Sequence, residues 1–298
     1  MAERRLRNIV CAVVAAGSTS EGSDDGDGGA ARGLRLSVER LVASPSDAFA
    51  LATAMLEETE LVFRADGPSD GWASEEGAIR ASASESPPLE GFAVESRLMG
   101  GLFGRAGFRI YRARCVLPLA PPAMHALLVS PEGYAAIDTT SASEDYGRAV
   151  EAFRWPDRPD AKLQVEHFKR VSDADPPAYT PRNGAVLNLH DRSTLSWLSY
   201  SILHRSLPGG SRFQTEMPTD GGPSSGSVRL TYALGLQLFP LPGRPDECQV
   251  KLFRFGDIGS DLGAAQARVG NATVCMSFDH TFRRIAVKAA KRRGCEDS

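Results

Sequence analysis

The sequence predicts an α+β fold in which a long, curved, mostly antiparallel sheet wraps a helix. Three observations carry this expectation. The stretch SVRLTYALGLQLFPLPG (227–243) alternates apolar side chains over an unusual length, five other stretches share its period of two, and a helical repeat follows the last of them. In the first stretch Val228, Leu230, Tyr232, Leu234, Leu236 and Leu238 share one face, while Arg229, Thr231, Ala233, Gly235 and Gln237 share the other. At about 3.3 Å per residue the 12 positions from Ser227 to Leu238 span ~40 Å, roughly twice an ordinary strand, which calls for curvature. Gly235, on the outward face, is the expected bend. The apolar face needs a partner, either a packed helix or an apolar ligand.

The elements follow in order. Arg4, Arg5 and Arg7 before IVCAVVAAG have the outline of a weak targeting segment, with a short strand or a disordered tail as the alternative. Residues 17–33, GSTSEGSDDGDGGAARG, lack apolar side chains to offset ordering and read as a flexible linker, so a tail (1–34) precedes one domain (35–298). SPSDAFALATAMLEETELVF (44–63) is a helix: Ser44 or Ser46 caps it, Asp47 suits its positive end, and Phe49, Leu51 or Ala52, and Met55 or Leu56 recur at helical spacing. Strands are expected at 91–97, 108–119, 162–171, 185–203 and 248–257. PPAMHALLVSPEGY (121–134) opens a short helix whose first turn tolerates the prolines. From about Leu262 to Arg293, Phe278, Phe282, Ile285 and Ala289 fall at i, i+4, i+7 and i+11, and Arg283, Arg284, Lys288, Lys291, Arg292 and Arg293 crowd the helix end. That basic end is either a solvated terminus or a membrane-facing surface.

Composition narrows the function. A chain of 298 residues with 42% hydrophobic content buries a sizeable core, and a net charge of −3 argues against general nucleic-acid binding. No apolar run approaches the ~18 residues of a membrane span. The five cysteines are scattered and form no CxxC pair, which fits reduced thiols in a cytoplasmic protein, organelle targeting being the alternative.

Most chemical motifs fail on context. Ser224 sits in a GxSxG match, but a loop precedes it and a strand follows, the reverse of a nucleophile elbow. GGLFGRAG (100–107) has no GxGxxG spacing and no P-loop lysine, and the five histidines show no paired ligand spacing, so no metal or cofactor is expected. Asn271-Ala272-Thr273 is a glycosylation triplet inside a predicted helix. A small polar set remains on apolar strands. Glu166-His167 interrupts KLQVEHFKRV, where Leu163, Val165 and His167 share a face, and His190-Asp191-Arg192 interrupts AVLNLHDRSTLSW ahead of Ser193, Thr194 and Ser196. These groups either bridge locally at a bend or orient the polar end of a ligand in an apolar cavity.

At this point the order of elements resembles the START lipid-transfer domains, those related to the steroidogenic acute regulatory protein. HDRSTLSWLSY is similar to the family's Arg-Asp-Phe strand, SVRLTYALGLQLFPLPG to its Val-Arg strand with a Pro-Leu end, and CQVKLFRFGDIGSDLG to the next strand and acidic turn. YAAID (134–138) stands where a Trp-Asp pair is usual, with Ile137 in place of the tryptophan. The resemblance covers residues 72–293. It implies a helix-grip fold, with a curved antiparallel sheet around the C-terminal helix enclosing a lipid tunnel. It also implies that His167 falls near the family's cavity acid and Ser196 near its cavity arginine, so that neutral polar groups replace an ion pair and favour a hydroxyl or mostly apolar ligand.

The expected function is noncatalytic binding or transfer of one lipid by a monomer that touches membranes transiently. The ligand-binding set is His167, Asp191, Arg192, Thr194, Ser196, Leu230, Tyr232, Leu234, Leu236, Phe278 and Phe282. The tunnel needs a gate, for which 138–147, 258–263 and the terminal helix are the candidates. The alternatives are a cyclase or hydrolase using His167 or Asp191 as general base, and an interaction module whose cavity is filled by side chains.

Overall fold

The computed structural model describes residues 36–64, 71–77, 89–98, 109–130, 133, 149–170, 182–204, 228–229, 231–257 and 271–296. In chain order the elements are β1 (Arg40–Val42), α1 (Pro45–Arg64), β2 (Ala73–Ser74), β3 (Ala93–Leu98), β4 (Arg109–Leu117), α2 (Pro121–Leu128), β5 (Ala149–Arg154), β6 (Ala161–Arg170), β7 (Arg182–Asp191), β8 (Ser196–His204), β9 (Val228–Arg229), β10 (Thr231–Leu241), β11 (Arg244–Asp257) and α3 (Asn271–Glu296). One open sheet runs β2-β3-β4-β11-β10-β8-β7-β6-β5, every neighbour antiparallel, with β1 joining β8 and β9 joining β7 in parallel. This is the expected α+β architecture.

The capping residue of α1 is Ser44. Its Oγ accepts from the Asp47 N–H at 3.2 Å, and the Asp47 carboxylate accepts from the Ala43 N–H at 3.0 Å and the Ser44 hydroxyl at 2.9 Å. At the other end of α1 two cations meet the last carbonyls: Arg112 Nη1 donates to Val62 O at 2.6 Å and Lys251 Nζ to Phe63 O at 3.2 Å. These residues, with Glu95 and Arg114, line a shallow outer groove beside Phe63.

Each helix layer covers one face of the sheet. On one side α1 packs over Leu163, Val165, Ala185, Leu187, Leu189, Leu198, Tyr200, Ile202 and Phe253. On the other, Val274, Phe278, Phe282, Ile285 and Ala289 of α3 pack with α2 against β4, β10 and β11. The helical repeat read in the sequence is therefore the face that docks. Cys115, Cys248 and Cys275 are free thiols in this second core, and burial pushes Cys248 and Cys275 up to about 12.

Three expectations need correction. The long strand is two, β9 and β10, divided at Leu230, which lies outside the described residues. Its outward face is not outward: Leu236 and Leu238 join the α3 core while Ala233, on the other face, joins the α1 core. Gly235 makes no bend, since pairing with β11 runs unbroken through Gly235↔Phe253 and shifts only between Pro240 and Leu241. Glycine is there because a Cβ would lie 2.0 Å from the Phe253 ring. Finally, 185–203 is a hairpin, β7 and β8, whose turn spans 192–195 and holds Leu195 at φ 51°. Strands β1, β2 and β5 were not foreseen: β1 and β2 span only three and two residues, and AVEAFR of β5 carries apolar residues at both parities, so no period of two stands out.

Candidate functional site

Alternation along β6, β7 and β8 sends Leu163 and Val165, Leu187 and Leu189, and Leu198, Tyr200 and Ile202 into the α1 core. The residues between them, Gln164, Glu166, Val186, Asn188, Ser199 and Ser201, therefore belong to the α3 side of the sheet, and all are buried. Gln164 Nε2 donates to Glu166 Oε1 at 2.5 Å. Tyr232 sits over the same region, its backbone N–H donating to Ser201 Oγ at 2.8 Å and its hydroxyl 3.4 Å from Ser199 Oγ. Val186 is enclosed yet joins neither of the two apolar cores formed by the described residues. One half of the α3 side is thus a conventional core, and the other half is a floor of polar groups shut away from bulk solvent.

The apolar members of the expected site divide between these halves. Leu236, Phe278 and Phe282 are fully buried in the helix–sheet core, where Phe92 meets Phe282 edge-on at 6.2 Å. Tyr232 and Leu234 are only half-buried, at the border between core and floor. Arg254, opposite Leu234, donates to Ser277 Oγ at 3.1 Å and Thr281 Oγ1 at 3.2 Å of α3. Leu230 lies outside the described residues, as do 138–147, 258–263, Ser224 and 100–107.

The polar members gather elsewhere, at the β7–β8 turn. Asp191 accepts from Arg158 Nη1 at 2.7 Å, from the Ser193 N–H at 2.9 Å and from the Ser193 hydroxyl at 2.7 Å. Burial alone would raise its pKa, but these donors and Thr194 outweigh it and hold the carboxyl below its ordinary value. Ser196 Oγ donates to Thr194 O at 3.2 Å, the Ser196 carbonyl lies 3.3 Å from His125 Nε2, and Arg192 points into solvent. Desolvation lowers the pKa of His125, which favours the neutral ring at that contact. The arrangement is the bend-bridging alternative for these residues: a carboxylate joins the β5–β6 and β7–β8 turns. His167 pairs along the backbone with Ala149 and Ala185.

No family model matches the chain, and no curated protein matches it. Among solved structures, human StAR-related lipid transfer protein 5 superposes with a TM-score of 0.50 at 19% identity, covering 84% of this chain and 100% of that one. The chain has the START helix-grip fold. Human STARD10 matches with a TM-score of 0.43 at 11% identity over 78% of this chain and 83% of its own. Zhui aromatase/cyclase from Streptomyces sp. R1128 matches with a TM-score of 0.36 at 11% identity over 62% and 94%. The resemblance read from motif order thus holds for the START fold, with the sheet open at both edges.

Within that fold the acid on the α3 side is Glu166, one residue from the position the resemblance implied, so the floor does carry a carboxylate. Sequence reasoning named Glu166 beside His167 but missed Gln164, Asn188 and Ser199, because polar residues alternating with leucines ordinarily mark the solvent side. The signal that inverts this is α1. Its buried face of Leu51, Met55, Val62 and Phe63 must cover some apolar sheet surface, and by covering the leucine side it leaves the polar side inward.

Proposed function

We propose that this protein holds one lipid between α3 and the floor formed by β6, β7, β8 and β10, and carries it without performing chemistry on it. The observation that supports this most is the enclosed floor itself. Buried polar groups and Val186 lie on the helix side of the sheet without forming a sealed apolar core, the arrangement of a chamber with a few orienting groups. The fold shared with a lipid transfer protein supports the same reading. Tyr232 and Leu234 form the chamber wall, while Leu236, Phe278 and Phe282 fix the helix that closes it. A carrier role is favoured over a hydrolase or cyclase because Asp191, the strongest base candidate, is engaged by Arg158 and Ser193 in a turn. Loading requires transient contact with a membrane. No described helix is long and apolar enough to cross one.

The test is native mass spectrometry of the full chain purified without detergent, followed by lipid extraction. The expected spectrum shows the chain with one lipid-sized adduct that organic solvent removes. A lipid-free chain that also fails to move labelled lipids between vesicles would overturn the reading.

A further inference from the structure

On the face of the sheet away from α3, the end of α1 leaves the shallow groove whose lining includes Phe63, Glu95, Arg112, Arg114 and Lys251. Arg112 is buried and held on three sides. Its Nε donates to Glu95 Oε2 at 2.8 Å, its Nη1 donates to Val62 O at 2.6 Å, and its guanidinium lies 4.1 Å from the centre of the Trp72 ring. Glu95, the one acid among the described lining residues, is thereby engaged. The other two cations face each other. Arg114 on β4 stands directly opposite Lys251 on β11, and the next positions along this row are neutral, Ala93 on β3 and Gln237 on β10. Side chains in such positions have Cβ atoms about 4.5–5.5 Å apart, where like charges are destabilising. Lys251 Nζ donates to Phe63 O at 3.2 Å and lies 4.8 Å from the centre of the Phe239 ring, so the end of α1 fixes it in place. Capping α1 accounts for Arg112 and Lys251. It gives no reason for a second, exposed cation opposite Lys251.

We propose that Arg114 and Lys251 bind a phosphomonoester dianion in this outer groove. The site lies across the sheet from the chamber and does not depend on it. Because Arg112 and Glu95 neutralise each other, two positive charges face the groove, and a dianion matches both where a monoanion matches one. The planar guanidinium of Arg114 can meet two phosphate oxygens at once, while the ammonium of Lys251 acts as a point charge with three donors, of which Phe63 O takes one. The row holds no acid to settle the pair from within the protein, so an anion from outside relieves their repulsion. Phe63 and Ala93 give the organic part of the ligand an apolar edge. A shallow site of this kind is screened by salt, so its affinity falls as ionic strength rises.

The experiment is isothermal titration calorimetry of the full chain at low ionic strength and about pH 8, where a phosphomonoester is a dianion. Phenyl phosphate is expected to bind about tenfold more tightly than the monoanion phenyl sulfate, and phenol not at all. Arg114→Gln should weaken phenyl phosphate by at least about tenfold, a charge-assisted contact having been removed, and Arg114→Lys should recover part of the loss. The same Arg114→Gln change should raise the unfolding midpoint of the ligand-free chain, because the like-charge pair is gone. Lys291→Gln, which removes an exposed cation from α3 instead, should leave binding within about twofold of the wild type. Phosphatidylcholine vesicles with and without phosphatidic acid identify the source of the group. Retention that needs both phosphatidic acid and Arg114 assigns it to a lipid, and phenyl phosphate binding without such retention assigns it to a soluble molecule. The proposal is overturned by equal affinity for phosphate and sulfate, by an unchanged affinity in Arg114→Gln, by an equal loss in Lys291→Gln, or by a chain that takes up neither phenyl phosphate nor the acidic vesicles.

Discussion

Phe282→Ala is expected to destabilise the protein by about 3–5 kcal/mol, the range for removing a fully enclosed aromatic ring from a core. Phe282 has no exposed surface, packs in the cluster that joins α3 and α2 to β4, β10 and β11, and meets Phe92 edge-on. Truncation leaves a cavity at the helix–sheet seam that rigid strands on one side cannot close. Phe282→Leu, which keeps most of the volume, should lose far less. Urea unfolding of the two variants, read as midpoints at a common slope, measures the difference. Equal small losses would mean that α3 does not depend on this seam. If α3 closes the chamber as proposed, Phe282→Ala should also weaken lipid retention in proportion to the fraction of chains with the helix undocked.

Gly235→Ala should be destabilising by at least the ~1–3 kcal/mol typical of overpacking, although alanine is ordinarily better suited to a strand than glycine. The new Cβ would lie 2.0 Å from one Phe253 ring carbon and 2.6 Å from another, and that ring is itself held by Phe63 at 5.7 Å and Tyr200 at 6.3 Å. The clash is therefore with a wedged side chain. Phe253→Leu alone should also destabilise, but Gly235→Ala in a Phe253→Leu background should cost much less than in the wild type, giving a double-mutant coupling of about 0.5–3 kcal/mol. Strict additivity would show that the glycine serves backbone freedom instead.

The legible and illegible parts of this protein follow from the same physics. Helices α1 and α3 and strands β3, β4, β6, β10 and β11 were visible because each is long enough for its period to be counted. Register was not visible. Whether Leu163 or Gln164 faces the interior depends on which side α1 covers, a tertiary fact that alternation alone leaves open. The same ambiguity placed Gly235 at a bend, when a ring on the next strand explains it. Asp191 and Ser196 stood out as polar residues on apolar strands, yet bonds within the turn engage them, and the hairpin was hidden because DRSTL lacks glycine and relies on Leu195 at positive φ.

The central claim is that a ligand lies on the α3 side of the sheet, over the floor of β6, β7, β8 and β10. A fatty-chain probe carrying a photoactivatable diazirine, irradiated in complex with the full chain and mapped by peptide mass spectrometry, tests this directly. Labelling is predicted at Gln164, Val186, Asn188, Ser199, Tyr232 and Leu234, and should be lost on competition with unlabelled lipid. Labelling confined to the outer groove at Phe63, Glu95 and Lys251, or spread over the surface without competition, would contradict the account.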